Sequence, residues 1–266
     1  METKELKVAI IGAGNMGGAI ARGLAKGRMI SASHISVSDI NESNLSAIRA
    51  AFPAINTYTA NAQMVEDAHI IILAVKPWLV EPVAEEIEKL IDYKRQIIVS
   101  VAAGVDFGKL VDYFDSKATL FRVIPNTAID VLQSVSTVSS HNANEEQTNL
   151  ILDLFSELGK TFHVPESQLN AFMSLSSCGI AYAFRYIRAA MEGGVEMGIY
   201  PNVAKDVVLQ TLRGAIDLIE ANGSHPEVEI DKVTTPGGIT IKGLNEMEAN
   251  GFSNAVIKGL KASHLK

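Results

Sequence analysis

The stretch that most constrains this chain is Gly12-Ala-Gly14-Asn-Met-Gly17, which follows the apolar run Val8–Ile11 and opens an amphipathic pattern over Met16–Ala25. In a strand–turn–helix setting each glycine has a separate task. Gly12 lets the chain turn sharply, Gly14 lets a pyrophosphate approach the backbone, and Gly17 lets the helix pack closely on the strand. The helix start at Asn15 and Met16 presents free N–H groups and a positive dipole end to an anion. A dinucleotide is the ligand such a unit predicts. The bland alternative is a glycine-rich turn with no ligand.

Short β-rich runs alternate with helical patterns through the first part of the chain. The runs are Val8–Ile11, Ile35–Ser38, Ile70–Val75, Ile97–Val101 and Thr119–Val123, and the helical patterns include Leu79–Ile91 and Phe107–Phe114. Ile70–Val75 and Ile97–Val101 are almost wholly apolar, as strands covered on both faces of a parallel sheet must be. This alternation predicts a doubly wound α/β sheet with right-handed crossovers. A further strand, helix and strand are expected at Val135–Ser140, Glu145–Leu158 and Lys160–Val164. After Pro165 the strand signals stop. Glu166–Met197 reads as one long helix, small and apolar in its middle, Pro201 starts a helix running to about Asn222, and two more follow over Gly238–Ala249 and Ser253–Ser263. The expected domains are 1–164, α/β, and 165–266, all helical. A central helix apolar over much of its circumference must bury itself against something, and a second copy of the chain is the simplest candidate.

Composition narrows the class. The net charge of -7 has the wrong sign for a nucleic-acid binder. No apolar run approaches the roughly 18–20 residues that span a bilayer. Met1–Lys7 mixes charged and polar residues and has no apolar signal core. One cysteine, Cys178, fits a reducing compartment, and the six histidines lack metal-ligand spacing. A cytoplasmic, metal-free enzyme is the expectation.

Three more strand ends face the crevice where open α/β sheets bind ligands. The second strand ends in Ser38-Asp39. An acid there typically holds the ribose 2′-hydroxyl and repels a 2′-phosphate, which favours NADH. Ser36, Ser38, Asn41 and Asn44 could still hydrogen-bond a phosphate, and Asp39 could equally be a turn residue. Ala74-Val75-Lys76-Pro77 and Ala102-Ala103-Gly104 offer small residues and exposed backbone to a nicotinamide and its ribose. Lys76 is either a ribose or phosphate contact or a solvated surface lysine.

Near the other end, Thr235-Pro-Gly237-Gly238-Ile239-Thr240 forces a loop before a resumed helical pattern. That makes a second helix N-terminus, able to grip a carboxylate and flanked by the hydroxyls of Thr235 and Thr240. The competing reading is helix capping by a hydroxyl.

The run Asp231–Leu244, DKVTTPGGITIKGL, resembles the signature of pyrroline-5-carboxylate reductases. The similarity extends through IGAGNMGGAI, LAVKP, SVAAG, RVIPNTA, AYAF and GGVEMG in the same order. The resemblance implies a Rossmann domain over 1–164 and a helical dimerisation and substrate domain over 165–266. It implies NADPH- or NADH-dependent reduction of L-Δ1-pyrroline-5-carboxylate to L-proline in a homodimer, where one subunit's helical domain closes over the other's cofactor. By position, Thr235, Gly237, Gly238, Ile239 and Thr240 would hold the substrate carboxylate, and Thr240 would place its hydroxyl at the ring nitrogen. Glu166 would lie near the substrate and Asn61 would contact the adenosine ribose. No metal or covalent nucleophile is needed: an anion clamp, a donor at the nitrogen and correct stacking suffice. Cys178 and Ile180 depart from the family's serine and proline, and Ile239 from its threonine or alanine, so only backbone contact is expected at Ile239.

Two rival readings fare worse. β-Hydroxyacid dehydrogenases carry a catalytic lysine on the first long helix of the second domain, yet no lysine occurs between Lys160 and Lys205. A non-catalytic dinucleotide sensor would have no use for the Thr235–Thr240 loop.

Overall fold

The computed structural model describes residues 5–264. Met1 to Lys4, part of the Met1–Lys7 stretch considered above, lie outside the described residues. The chain divides into two compact units, 1–177 and 178–266.

The first unit is built on eight strands: β1 (Val8–Ile11), β2 (Ile35–Ser38), β3 (Asn56–Tyr58), β4 (Ile70–Leu73), β5 (Ile97–Ser100), β6 (Thr119–Ile124), β7 (Ser134–His141) and β8 (Gly159–His163). They lie in the order β3-β2-β1-β4-β5-β6-β7-β8, all parallel except the β6–β7 pair. Six helices connect them: α1 (Asn15–Lys26), α2 (Glu42–Ala51), α3 (Ala62–Val65), α4 (Val80–Ile87), α5 (Phe107–Tyr113) and α6 (Glu145–Ser156). The doubly wound α/β fold is as the strand–helix alternation implied. Successive residues of one strand feed opposite cores. Ile10 packs with Ile20, Leu24, Ile35 and Phe155 on one face. Ile11 packs with Ile71, Leu73, Ile98 and Leu110 on the other. That is why β1 and β4 are apolar at every position and β5 at all but its last, Ser100.

Order reverses at β1, which β2 and β4 flank. The carboxyl ends of β1, β2, β4 and β5 therefore carry Gly12–Gly17, Asp39, Ala74–Pro77 and Ala102–Gly104 to one end of the sheet. This is the switch point at which such folds bind ligands.

The expected single helix over Glu166–Met197 is instead a composite. A 3₁₀ turn (Glu166–Gln168), α7 (Leu169–Met173) and a π turn (Ser174–Cys178) precede α8 (Gly179–Glu196). Serine chemistry accounts for the wide turn. Ser174 Oγ donates to the Asn170 carbonyl at 2.9 Å and Ser176 Oγ to that of Phe172 at 2.8 Å. Hydroxyls that bond back one turn compete with the backbone ladder and loosen it. Leu169 and Met173 are buried beside Ile124 and Val164, so the segment after Pro165 packs with the sheet.

The second unit continues with α9 (Pro201–Asn222), α10 (Pro226–Val233), α11 (Ile239–Ala249) and α12 (Phe252–Ala262). Pro201 and Pro226 each sit in the first turn of their helices, where a missing N–H costs nothing. Tyr182 donates to the Gly259 carbonyl at 3.2 Å, and the Tyr186 and Phe252 rings are 6.3 Å apart. Otherwise the unit has almost no core: among its described residues only Gly194 and Ala204 are buried.

Candidate functional site

In the first unit the three glycines behave differently. Gly12 has φ +100°, and a β-carbon there would lie 2.7 Å from the Ala74 carbonyl oxygen. A β-carbon at Gly17 would lie 1.9 Å from the Gly12 carbonyl oxygen. Both are therefore required by the chain's own packing. Gly14 has no atom within 4 Å of where its β-carbon would be. Its bare face is open, as a close-approaching ligand requires.

Gly14 also starts α1, and no side chain caps that helix. The first N–H of the intrahelical ladder is that of Gly18, which donates to the Gly14 carbonyl at 2.8 Å. The exposed start at Asn15 and half-buried Met16 is left as an anion seat with the dipole behind it. The cradle fits a pyrophosphate.

Asp39 is more heavily engaged than a ribose reader alone would be. Its Oδ2 accepts from the Ala13 N–H at 2.7 Å and from Asn44 Nδ2 at 3.1 Å, and its Oδ1 from the Asn41 N–H at 2.7 Å. Ser38 is buried, and its Oγ donates to Asn61 Oδ1 at 2.6 Å. Asn61 Nδ2 in turn donates to Glu86 Oε2 at 2.7 Å. Asn61 is thus held in a fixed orientation beside the β2 end.

Beyond β4, Ala74, Val75 and Pro77 are half-buried and Lys76 is exposed. Among the described residues no ion pair reaches Lys76. Beyond β5, Ala102 is buried, Ala103 is exposed, and Gly104 is exposed with φ +81°.

Glu166 lies in the first unit. Its Oε1 accepts from Arg122 Nη1 and from the Phe107 N–H, each at 2.7 Å. Both contacts fall on one oxygen and leave Oε2. Sequence reading passed over Arg122 as a partner, although it opens the RVIPNTA run. In the same run Asn126 is buried and its Oδ1 caps the following turn by accepting from the Ala128 N–H at 3.1 Å.

In the second unit, Thr235-Pro-Gly-Gly closes as a type II turn. The Gly238 N–H donates to the Thr235 carbonyl at 2.9 Å, Pro236 presets the corner, and Gly237 takes φ +73°. Gly238 then caps α11 with no side-chain hydrogen bond, so neither Thr235 nor Thr240 caps it. Thr240 falls in the first helical turn with its side chain exposed, next to Ile239, which is 86% exposed. A helix start with unpaired N–H groups, flanked by two threonine hydroxyls, can hold a small carboxylate. Upstream, Glu229 Oε1 accepts from Lys232 Nζ at 2.8 Å, from Asn222 Nδ2 at 3.1 Å and from Ser224 Oγ. These bonds hold its carboxyl down at about 2, the Lys232 contact contributing most. The triple contact fixes the turn between α9 and α10, a role no sequence signal marked.

Comparison with known proteins bears on both features. Residues 166–266 match the family described as pyrroline-5-carboxylate reductase dimerisation, and residues 7–104 match NADP oxidoreductase coenzyme F420-dependent. Pyrroline-5-carboxylate reductase of Methanosarcina acetivorans is 34% identical over 262 residues, covering 97% of this chain and 96% of that one. The chain belongs to the pyrroline-5-carboxylate reductase family. Pyrroline-5-carboxylate reductase 1 of Dictyostelium discoideum is also 34% identical, over 96% of this chain but only 48% of its own length. The crystal structure of Plasmodium falciparum pyrroline carboxylate reductase with NADP bound superposes with a TM-score of 0.89. It is 26% identical, with coverage of 98% of this chain and 96% of that one. Family membership gives the two helix starts a common context: a dinucleotide-binding unit followed by a helical unit bearing the signature loop.

Proposed function

We propose that this protein reduces L-Δ1-pyrroline-5-carboxylate to L-proline, with NADPH or NADH as the reductant. The observation that carries the reading is the start of α11. A type II turn built from Thr235-Pro-Gly-Gly delivers a helix whose first N–H groups no side chain caps. The N–H groups of Ile239 and Thr240 and the Thr235 hydroxyl would hold the substrate carboxylate, with Gly237 and Gly238 giving the backbone room. Ile239 departs from the family's residue, and its exposed side chain leaves the backbone N–H as its contribution.

The dinucleotide would lie on Gly12–Gly17 with the pyrophosphate against bare Gly14, its adenosine ribose near Ser38, Asp39 and Asn61. Ala74–Pro77 and Ala102–Gly104 would flank the nicotinamide end. When bound, the reduced nicotinamide supplies the hydride that goes to the C=N carbon. Thr240 orients the imine nitrogen through its hydroxyl and relays to it a proton that the hydroxyl regains from water. Glu166, held by Arg122 and Phe107 through Oε1, keeps Oε2 for the substrate side.

The working unit is at least a homodimer. A helical unit with Gly194 and Ala204 as its buried residues, and with Phe184, Met197, Tyr200, Val207 and Ile216 exposed, cannot supply the core a domain of this size needs. A second copy covers those faces at least cost. Among the described residues no helix is long and apolar enough to cross a membrane. We place the protein in the cytoplasm, where an unpaired Cys178 stays reduced.

The test is direct. Adding Δ1-pyrroline-5-carboxylate to the purified protein with NADPH or NADH should oxidise the dinucleotide and yield L-proline in equal amount. No oxidation with either dinucleotide removes the reading.

A further inference from the structure

The Gly12–Gly14 turn is held in a specific way. Its backbone is tied to β2 by one bond, the Gly12 N–H donating to the Ser38 carbonyl at 2.8 Å. Among the described residues it makes one hydrogen bond to a side chain, the Ala13 N–H donating to Asp39 Oδ2 at 2.7 Å. Ala13 is buried, so its peptide cannot swing freely. Gly14, one residue on, has open space where a β-carbon would be, and its carbonyl accepts the Gly18 N–H at 2.8 Å. Asp39 is itself anchored: its N–H donates to the Tyr58 carbonyl at 3.2 Å, and Asn41 and Asn44 hold its carboxylate. An ionised carboxylate has room for roughly four donors, and three are in place.

We propose that Asp39 is a positioning residue for the pyrophosphate turn, setting the affinity for NADH and NADPH alike through the Ala13 N–H. This rests on the reading that the protein binds a nicotinamide dinucleotide. A residue that only reads the ribose distinguishes the two dinucleotides, because they differ at the 2′-position alone. A residue that holds the turn acts on the pyrophosphate, which both share. A short bond from a partly buried N–H to a charged acceptor is among the stronger ones, and preorganising donors before the ligand arrives raises affinity.

The experiment is equilibrium binding of NADH and of NADPH to the full-length protein without substrate, followed by nicotinamide fluorescence, for wild type, Asp39→Ala and Asp39→Asn. Thermal melts of each variant accompany it. Asp39→Ala should weaken both dinucleotides, on the order of 10-fold or more. The NADPH loss persists although a negative charge has gone from beside the 2′-phosphate. In steady state the dinucleotide KM should rise while kcat at saturation stays near wild type. Asp39→Asn, which keeps an oxygen acceptor for the Ala13 N–H, should recover most of the NADH affinity. Three outcomes would overturn the proposal: NADPH binding that improves in Asp39→Ala while NADH binding falls, unchanged binding of both, or a folded Asp39→Asn as weak for NADH as the alanine variant. Wild type that binds neither dinucleotide would overturn the underlying reading instead. If the alanine variant fails to fold, Asp39→Ser takes its place: weaker binding of both dinucleotides with recovery in Asp39→Asn supports the proposal, and unchanged binding of both sinks it.

Discussion

Arg122 and Glu166 are 44 residues apart in sequence, yet Nη1 of one lies 2.7 Å from Oε1 of the other. The guanidinium side chain is 7% exposed and the carboxylate side chain 35%, so the pair joins a buried charge on β6 to the run that follows β8. The same oxygen also accepts the first N–H of α5. Removing Glu166 would strand a buried cation, so Glu166→Ala should lower stability by about 2 kcal/mol. Replacing both partners with alanine should cost less than Glu166→Ala and Arg122→Ala summed. Urea denaturation of the four proteins reads this, and strict additivity would mean the pair is not coupled.

The glycines of the first turn separate binding from folding. Gly14→Val meets open space and should leave the melting temperature near wild type while dinucleotide affinity collapses. Gly17→Val puts atoms into the Gly12 carbonyl and should damage the fold itself. Paired thermal melts and dinucleotide titrations distinguish them. A folded Gly14→Val protein that binds normally would remove the pyrophosphate from this turn.

Features set by local pattern were readable in advance, and features set by distant partners were not. β1, β4 and β5 announce themselves as apolar runs, and Pro201 marks the start of α9 to the residue. β3 is three residues, Asn56-Thr57-Tyr58, without alternation or an apolar face, and only its pairing with β2 makes it a strand. α10, Pro-Glu-Val-Glu-Ile-Asp-Lys-Val, is too short and charged for a helical period to stand out. The π turn depends on serine hydroxyls choosing carbonyls one turn back. The Thr235–Thr240 loop was legible because Pro-Gly-Gly dictates its turn. That Asp39 binds the Ala13 N–H was not, because the two are 26 residues apart and the residue type alone suits a ribose contact equally.

Glu229 makes stability pH-dependent in a defined window. Its carboxyl titrates near 2 in the folded protein, against an ordinary 4.5, because Lys232, Ser224 and Asn222 all favour the ionised form. A depressed acid contributes stability that is present above about 4.5 and is lost as pH falls towards 2. The stability difference between wild type and Glu229→Gln should therefore be constant near neutrality and shrink across that window. A difference unchanged down to pH 2 would show that the contacts do not favour the ionised form.

Assembly predicts a concentration dependence. If a second copy covers the apolar faces of α8 and α9, the melting temperature should rise with protein concentration, and light scattering should give at least twice the chain mass. An active monomer at assay concentration would contradict the dimer.

The central claim is that the α11 start is a catalytic loop, and Thr240 tests it most directly. Gly238 caps that helix without a side chain, so losing the Thr240 hydroxyl removes no cap and should leave the fold and dinucleotide affinity intact. Removing one oriented donor from a transition state typically costs on the order of 10²–10³ in rate. Measured as kcat/KM for Δ1-pyrroline-5-carboxylate, Thr240→Ala should fall by that factor while Thr240→Ser retains much of the activity. A stable alanine variant with near-normal turnover would contradict the account and leave the proton to pass directly from water to the nitrogen.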